Sequence, residues 1–386
     1  MRENAPQKNK ILFISHEMSY TGAPRSLLRM CRVARKLGYV PTVWTMRSGP
    51  FEAEYAAEGI QVETVPVEET DNPKRLRAIE GYDLAVCNTS ITARFAKVCC
   101  QRIPTVWYIR EAANIAEVLA SSPPETAFVL RNSRDICCVS DYAAEALGPY
   151  VGHPLRVIPN CVEDEALLAA PHAPGSGEKV RFLQLGALEH RKGCDVLLDA
   201  FESLPPELRR RAELYLAGPG SESEYGQQIL ERIGTMPGVR YLGVITGDKK
   251  RVQTVSRMDV VVVASRDEAG SLAALEGAML GKPLIVTKNV GARYIVGKRN
   301  GYVTAPGDPE SLARAMARCI RLGEDLAPLG FESRRRYETM ASMEKYTKDM
   351  KELFALAGTK NTPAFQWRRL RNILVFRGKW KLEQGR

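Results

Sequence analysis

The stretch Asp259-Val-Val-Val-Val-Ala-Ser265-Arg-Asp-Glu268-Ala-Gly270-Ser-Leu-Ala-Ala-Leu-Glu276-Gly-Ala-Met-Leu-Gly281-Lys-Pro283-Leu-Ile-Val-Thr287 holds one complete repeat of the fold. Four valines in a row, flanked by Asp259 and Ala264, predict a strand buried on both faces. The loop Ser265–Gly270 follows. Ser271 is a good N-cap, so a helix is expected from there to Gly281, the usual kind of helix stop. Pro283 then opens a second apolar strand. Strand, helix and strand in that order imply a parallel pair with a crossover helix.

The same alternation runs outward in both directions. Before it, Ile11–Ser15, Val40–Thr45, Asp83–Cys87, Thr105–Ile109 and Ile136–Ser140 read as strands, and Arg25–Leu37 reads as a helix. The turn-forming run Pro171-His-Ala-Pro-Gly-Ser-Gly-Glu-Lys179 is the linker expected between two units. The pattern restarts at Val180–Leu185, with further strands at Leu214–Ala217 and Val239–Leu242. Helices are expected near 309–321 and 331–357. The fold class is therefore α/β, with two Rossmann-like doubly wound parallel sheets facing across a cleft. The expected division is 1–170, 171–335, a closing helix at 336–358 that returns toward the first unit, and a tail at 359–386.

A chain of 386 residues suits two such domains. With 45% hydrophobic and 26% charged residues, it is neither disordered nor collagen-like. No apolar run approaches the ~18 residues of a membrane-spanning helix. The N-terminus shows no signal-peptide core, so a cytoplasmic address is expected. The nine cysteines are odd in number and several lie in apolar runs, as reduced buried thiols would. There is no Cys-x-x-Cys, and the four histidines are scattered, so no metal site and no cofactor are expected. The net charge is +10. Much of it sits in the tail, where Lys360, Arg368, Arg369, Arg371, Arg377, Lys379, Lys381 and Arg386 face only Glu383. Phe365, Trp367, Leu370, Ile373, Leu374 and Phe376 interleave with them. That pattern reads as an amphipathic segment for an anionic membrane face, or as one that is solvated or docked on its own body. Nothing in the body suggests nucleic acid.

Three loops carry candidate chemistry. In the first, Glu268 ends a strand and Glu276 lies in the second turn of the next helix. The amides of Gly270, Ser271 and Leu272 open that helix, where a phosphate is favoured. Carboxylates accept O–H donors, so the pair suits a hydroxyl-rich group beside a phosphate, as in a nucleotide-sugar. On spacing alone, two surface glutamates on an ordinary strand–loop–helix explain it better. The second loop is Gly186-Ala-Leu-Glu-His-Arg191-Lys192-Gly193, a glycine turn with adjacent cations. The third is Ser19-Tyr-Thr21-Gly22-Ala-Pro24, a strand-to-helix loop of the phosphate-binding kind. No Gly-x-Gly-x-x-Gly is present.

Taken together, residues 10 to 357 resemble the retaining glycosyltransferases of the GT-B fold, family 4. The resemblance rests on Thr21-Gly22-Ala23-Pro24, on Lys192-Gly193 with Asp195, Leu198 and Ala200-Phe201, and on Glu268 and Glu276 with seven residues between them. Gly277-Ala278-Met279 and Gly281-Lys282-Pro283 follow the pair, with lesser matches at Asn160, Leu242-Gly243, Asp259 and Asn300-Gly301. It implies a metal-independent, retaining hexosyl transfer from a nucleotide-diphosphate-sugar to a glycan or lipid-linked acceptor, in the manner of bacterial cell-surface polysaccharide assembly. In that scheme Glu268 touches the transferred sugar and Glu276 holds the ribose. Lys192, with Arg191, stabilises the leaving diphosphate, and Thr21, Gly22, Gly186, Gly270, Ser271 and Leu272 line the donor site. Arg110 and Glu111 are candidates for the acceptor side. The chain departs from the family at four places. Ala187 stands where an arginine commonly follows the glycine, and Arg110 where a histidine often precedes the glutamate. Ala269-Gly270-Ser271 replaces x-Phe-Gly, and Tyr294 takes the place of a carboxylate. Ala187 and Arg110 suit the alternative of a non-catalytic protein that binds a nucleotide-sugar, a glycan or a partner, whereas intact Lys192, Glu268 and Glu276 suit the enzyme.

Overall fold

Ile11, Leu12, Phe13 and Ile14 have no exposed surface at all, which requires a strand covered on both faces. The computed structural model describes residues 9–122, 125–133, 135–169 and 172–356. Within them two parallel sheets form. The first comprises β1 (Lys10–Ser15), β2 (Val40–Thr45), β3 (Gln61–Thr64), β4 (Leu84–Asn88), β5 (Thr105–Ile109), β6 (Asp135–Cys138) and β7 (Arg156–Val157), in the order 3-2-1-4-5-6-7. The second comprises β8 (Val180–Leu185), β9 (Ala212–Ala217), β10 (Val239–Tyr241), β11 (Val260–Val263), β12 (Leu284–Thr287) and β13 (Gly301–Thr304), in the order 10-9-8-11-12-13. Phe13 lies opposite Val43 on one side and Val86 on the other, which fixes the register at the centre of the first sheet.

In both sheets the strand order reverses once, between β1 and β4 and between β8 and β11. Loops leaving those strands diverge to opposite faces and open a crevice at the strands' carboxyl ends. All three candidate loops leave a strand at these two points. The short strands β3, β7 and β13 escape the periodicity reading because they span only two to four residues at or near sheet edges.

The expected single helix at 331–357 is two. Leu326–Met340 ends at Ala341, and Met343–Phe354 begins after Ser342, whose hydroxyl accepts from the Lys345 amide at 3.3 Å. The break has a packing reason. Tyr337 and Ala341 are buried in the core of the second half, whereas Tyr346, Met350, Leu353 and Phe354 are buried in the core of the first. The Phe354 ring meets Phe13 edge-on at 6.1 Å. Burial of each such side chain is worth about 1.5–3 kcal/mol, so the last helix ties the chain's end to its beginning. All nine cysteines are free thiols and eight are fully buried, as expected from their apolar settings. The tail at 359–386 lies outside the described residues. Among the described residues no helix is long and apolar enough to cross a membrane.

Candidate functional site

Glu268 is held by backbone on one side and by charge on the other. Its amide donates to Asn289 O at 3.0 Å and its carbonyl accepts from the Gly291 amide at 2.7 Å. The carboxylate meets Lys192 Nζ at 2.9 Å and accepts from Ser265 Oγ at 2.8 Å. Lys192 reaches it because the loop after β8 folds back. Gly193 has φ of +66°, and a Cβ there would lie 2.2 Å from the Ala264 carbonyl. The lysine stem passes 3.6 Å from where a Cβ on Gly186 would stand. Both glycines therefore serve to place Lys192 against Glu268.

The helix Leu272–Met279 begins directly beyond. Ser271 caps it, its hydroxyl accepting from the Ala274 amide at 3.3 Å. Among the described residues the amides of Gly270, Ser271 and Leu272 have no acceptor. They form a row of free donors at the positive end of a helix. One turn further, Glu276 is 9% exposed and stands 3.0 Å from Arg251 Nε. Burial pushes its carboxyl up, against the pull of Arg251, Arg29 and Arg25.

The first half supplies the other wall. A Cβ on Gly22 would sit 4.0 Å from Leu272 Cδ1, so the starts of the two helices face each other. Thr21 Oγ1 donates to Glu17 at 3.0 Å and orders that loop. At the end of β5, Arg110 stacks on Tyr108 at 4.7 Å and donates to Asn88 Oδ1 at 2.5 Å and Asn160 Oδ1 at 2.7 Å. Asn160 Nδ2 in turn lies 3.0 Å from the Cβ position of Gly270. Glu111 points inward and accepts from the Ser90 amide at 3.1 Å, so it closes a turn rather than facing a substrate. Thr89, just before that turn, carries φ of +76°, a conformation that costs a β-branched residue roughly 1–3 kcal/mol. Its hydroxyl is 3.3 Å from His16 Nδ1. Burial, and the charges of Arg47 and Arg110, lower the His16 pKa against the opposing pull of Glu17.

The two halves join around Glu268. Asp267 accepts from Tyr142 Oη at 2.9 Å and from the amides of Ala113 and Asn114 at 3.2 and 3.3 Å. Ser140 Oγ donates to Ala269 O at 2.6 Å. Arg191 does not turn toward the helix start. Its guanidinium donates to Asp267 O at 3.0 Å and to Glu189 at 3.2 Å.

The chain can now be placed among known proteins. Residues 171–339 match the family model described as glycosyl transferases, group 1. The second half of this chain is thus similar to the group 1 glycosyl transferases. Over 163 residues the chain is 31% identical to O-antigen chain mannosyltransferase C of Escherichia coli, covering 41% of this chain and 42% of that protein. Over 139 residues it is 30% identical to an uncharacterised glycosyltransferase of Methanocaldococcus jannaschii, covering 36% of this chain and 35% of the other. The chain thus spans well under half the length of these two relatives. Among solved structures, HepE of Anabaena in complex with UDP-glucose superposes with a TM-score of 0.76 at 20% identity, over 90% of this chain and 99% of that one. WaaG, a glycosyltransferase involved in lipopolysaccharide biosynthesis, gives a TM-score of 0.69 at 15% identity over 90% and 100%. At such identities the likeness is one of fold, and the fold is GT-B.

Around this glycosyl transferase-like domain the structure gathers Lys192, Glu268, Gly270, Ser271, Leu272 and Glu276 from the second half, with Thr21, Gly22 and Arg110 from the first. Sequence reasoning missed Arg25, Arg29, Arg251, Asp267, Tyr142 and His16. A signal existed for the first two: Arg25, Arg29 and Arg32 recur at helical spacing on one face, directly after Pro24. Asp267 and Tyr142 meet across 125 residues of chain, and nothing local marks either. Among the described residues no group of three or more His, Cys, Asp or Glu is placed to hold a metal ion.

Proposed function

We propose that this protein transfers a hexose-type sugar from a nucleotide-diphosphate-sugar to a glycan or lipid-linked acceptor, with retention of configuration. The observation that carries the reading is the convergence at one strand-end crevice of free helix-start amides, Lys192 paired with Glu268, and a buried Glu276. Each meets a different part of one ligand. The amides and Lys192 face the charge that develops on the departing diphosphate, where preorganised donors act most strongly. Glu276 accepts from the ribose hydroxyls, and Glu268 accepts from the transferred sugar. The acceptor oxygen bonds to the anomeric carbon on the face the diphosphate leaves, and its proton passes to the departing phosphate oxygen. Side-chain cations and backbone amides supply the charge, Lys192 among them, so the reading calls for no metal.

The names of its relatives support a place in cell-surface polysaccharide assembly. The basic run at 359–386 supports attachment to an anionic membrane face on the cytoplasmic side. Removal of 359–386 should release the protein from anionic vesicles and leave turnover of a soluble acceptor intact. A second reading, a GT-B protein that binds without turnover, is favoured by Ala187 and by the turned-away Arg191. One experiment separates the two. A thermal-shift panel of UDP-, GDP-, ADP- and CMP-sugars identifies the nucleotide, since a ligand of the folded state raises the melting temperature. Donor hydrolysis is then measured for the wild type and Glu268→Gln. The shift should vanish in Glu276→Ala, and turnover should vanish in Glu268→Gln. A shift without turnover in the wild type selects the second reading, and silence across the panel refutes the donor site.

A further inference from the structure

Among the described residues, Arg25 Nε, Arg29 Nη1, Arg110 Nη2 and Arg251 Nε are buried arginine nitrogens with no hydrogen-bond partner. All four belong to the seam between the two halves. Three of these side chains have a carboxylate within 4.0 Å: Asp248 for Arg25, Glu163 for Arg29, and Asp248 and Glu276 for Arg251. Arg110 is different. Among the described residues its guanidinium meets no carboxylate. Its other two nitrogens are spent on the neutral amide oxygens of Asn88 and Asn160. The Glu111 carboxylate beside it accepts from the Arg110 backbone amide at 3.0 Å, not from the side chain. Arg110 is half-buried with its Nη2 fully buried, and an always-charged group placed so without a counter-ion is costly. Here it is also held rigid, by two asparagines and the Tyr108 ring.

The helix start one contact away has the complementary deficit. Lys192 is already neutralised by Glu268. Arg266 is engaged by Asp195 at 2.6 Å, and Arg191 by Asp267 O and Glu189. Ala187 supplies no charge. A diphosphate arriving at Gly270–Leu272 therefore finds free amides and one shared cation from the second half. Arg110 reaches Asn160, and Asn160 reaches Gly270.

We propose that Arg110 supplies, from the opposite half of the molecule, the second cation of the diphosphate site, its unpartnered Nη2 donating to a non-bridging phosphate oxygen of the donor. This rests on the donor reading above. It gives the seam a chemical purpose: the charge needed at the leaving group is complete only when both halves meet around the ligand.

The test is calorimetric titration with UDP and uridine, or with GDP and guanosine if that is the pair the wild type binds. Arg110→Gln should weaken the nucleoside diphosphate at least tenfold, leave the nucleoside unchanged and flatten the salt dependence of binding. Arg110→Lys should recover part of the loss, since it restores charge without the fork. Equal diphosphate affinity in wild type and Arg110→Gln overturns the proposal, as does an equal loss with the nucleoside. A loss seen only with UDP-glucuronate, and not with UDP, places the oxyanion on the sugar and also overturns it. If Arg110→Gln does not fold, Asn160→Ala frees the guanidinium and should weaken the diphosphate several-fold; no change there overturns the proposal. A wild type that binds no nucleoside diphosphate refutes the donor reading itself, a failure visible before any variant is made.

Discussion

The clasp at Asp267 makes a graded prediction. Three donors from the first half converge on this one carboxylate, which directly precedes Glu268, and Ser140 holds the residue after it. Separation of the halves would exchange these contacts for water. A hydrogen bond to a charged acceptor is worth about 1.5–3 kcal/mol net. Tyr142 and Asp267 are both half-buried, so the lower figure applies. Tyr142→Phe should then cost about 1.5 kcal/mol, roughly a tenfold shift toward separated halves. Asp267→Ala also removes the two longer amide contacts, and about 3 kcal/mol, or roughly a hundredfold, is expected. Only the joined state fixes Glu268 from both sides and takes the donor, so turnover at limiting donor should fall in the same order, by up to the same two steps. Small-angle scattering with nucleotide present should show the radius of gyration rising in the same order. Wild-type turnover and wild-type dimensions in both variants would refute the clasp.

Three further outcomes test other parts of the structure. Lys282 is 2% exposed and donates to Ser256 O at 2.7 Å; burial, opposed by Asp259, lowers its ammonium to about 8. Between about 8 and the ordinary ~10.4 the unfolded chain holds a proton the folded chain has lost, so this group's contribution to stability rises with pH. The urea-unfolding difference between wild type and Lys282→Met should climb from pH 8 to pH 10 and be flat below pH 8; a difference flat throughout refutes it. Asp195 is held at about 2, burial being outweighed by the Arg266 fork and the Tyr225 hydroxyl. Its contribution is present above the usual ~3.9 and lost as pH falls toward 2, so Asp195→Asn should show a shallower acid limb in thermal melts between pH 5 and pH 2.5. Gly193→Ala forces a Cβ to within 2.2 Å of Ala264 O at positive φ. It should lose roughly 1–3 kcal/mol of stability and displace Lys192, which thermal melts and nucleotide binding will read together.

The alternation of apolar strands and helices made both sheets legible, because a strand buried on both faces has no polar residues to interrupt it. Ser271 and Gly281 bounded the Leu272–Met279 helix correctly because caps are local chemistry. The break at Ala341-Ser342 was not legible, since helical spacing continues through it and only the different cores on either side demand it. Arg191 and Lys192 are neighbours of equal charge, and sequence treats them alike. The fold separates them, because Gly193 turns Lys192 inward while Arg191 satisfies the backbone of the Asp267 loop.

The seam is the part no local pattern encodes, and the chemistry concentrates there. Glu163 pairs with Arg29 at 2.6 Å and with Arg32 at 2.7 Å, more than 130 residues away in the sequence. Glu276 sits inside the field of Arg25, Arg29 and Arg251. The halves do not balance their charge alike. In the second half Glu268 and Glu276 are already paired with Lys192 and Arg251; the first half leaves the Arg110 guanidinium without a carboxylate among the described residues. A ligand with a diphosphate at one end and hydroxyls along its length matches that imbalance, the phosphates meeting the surplus arginine and amides, the hydroxyls meeting the glutamates. Joining of the halves and binding of such a ligand are then one coupled equilibrium, and whatever strengthens the clasp at Asp267 must strengthen donor affinity, by at most the same factor.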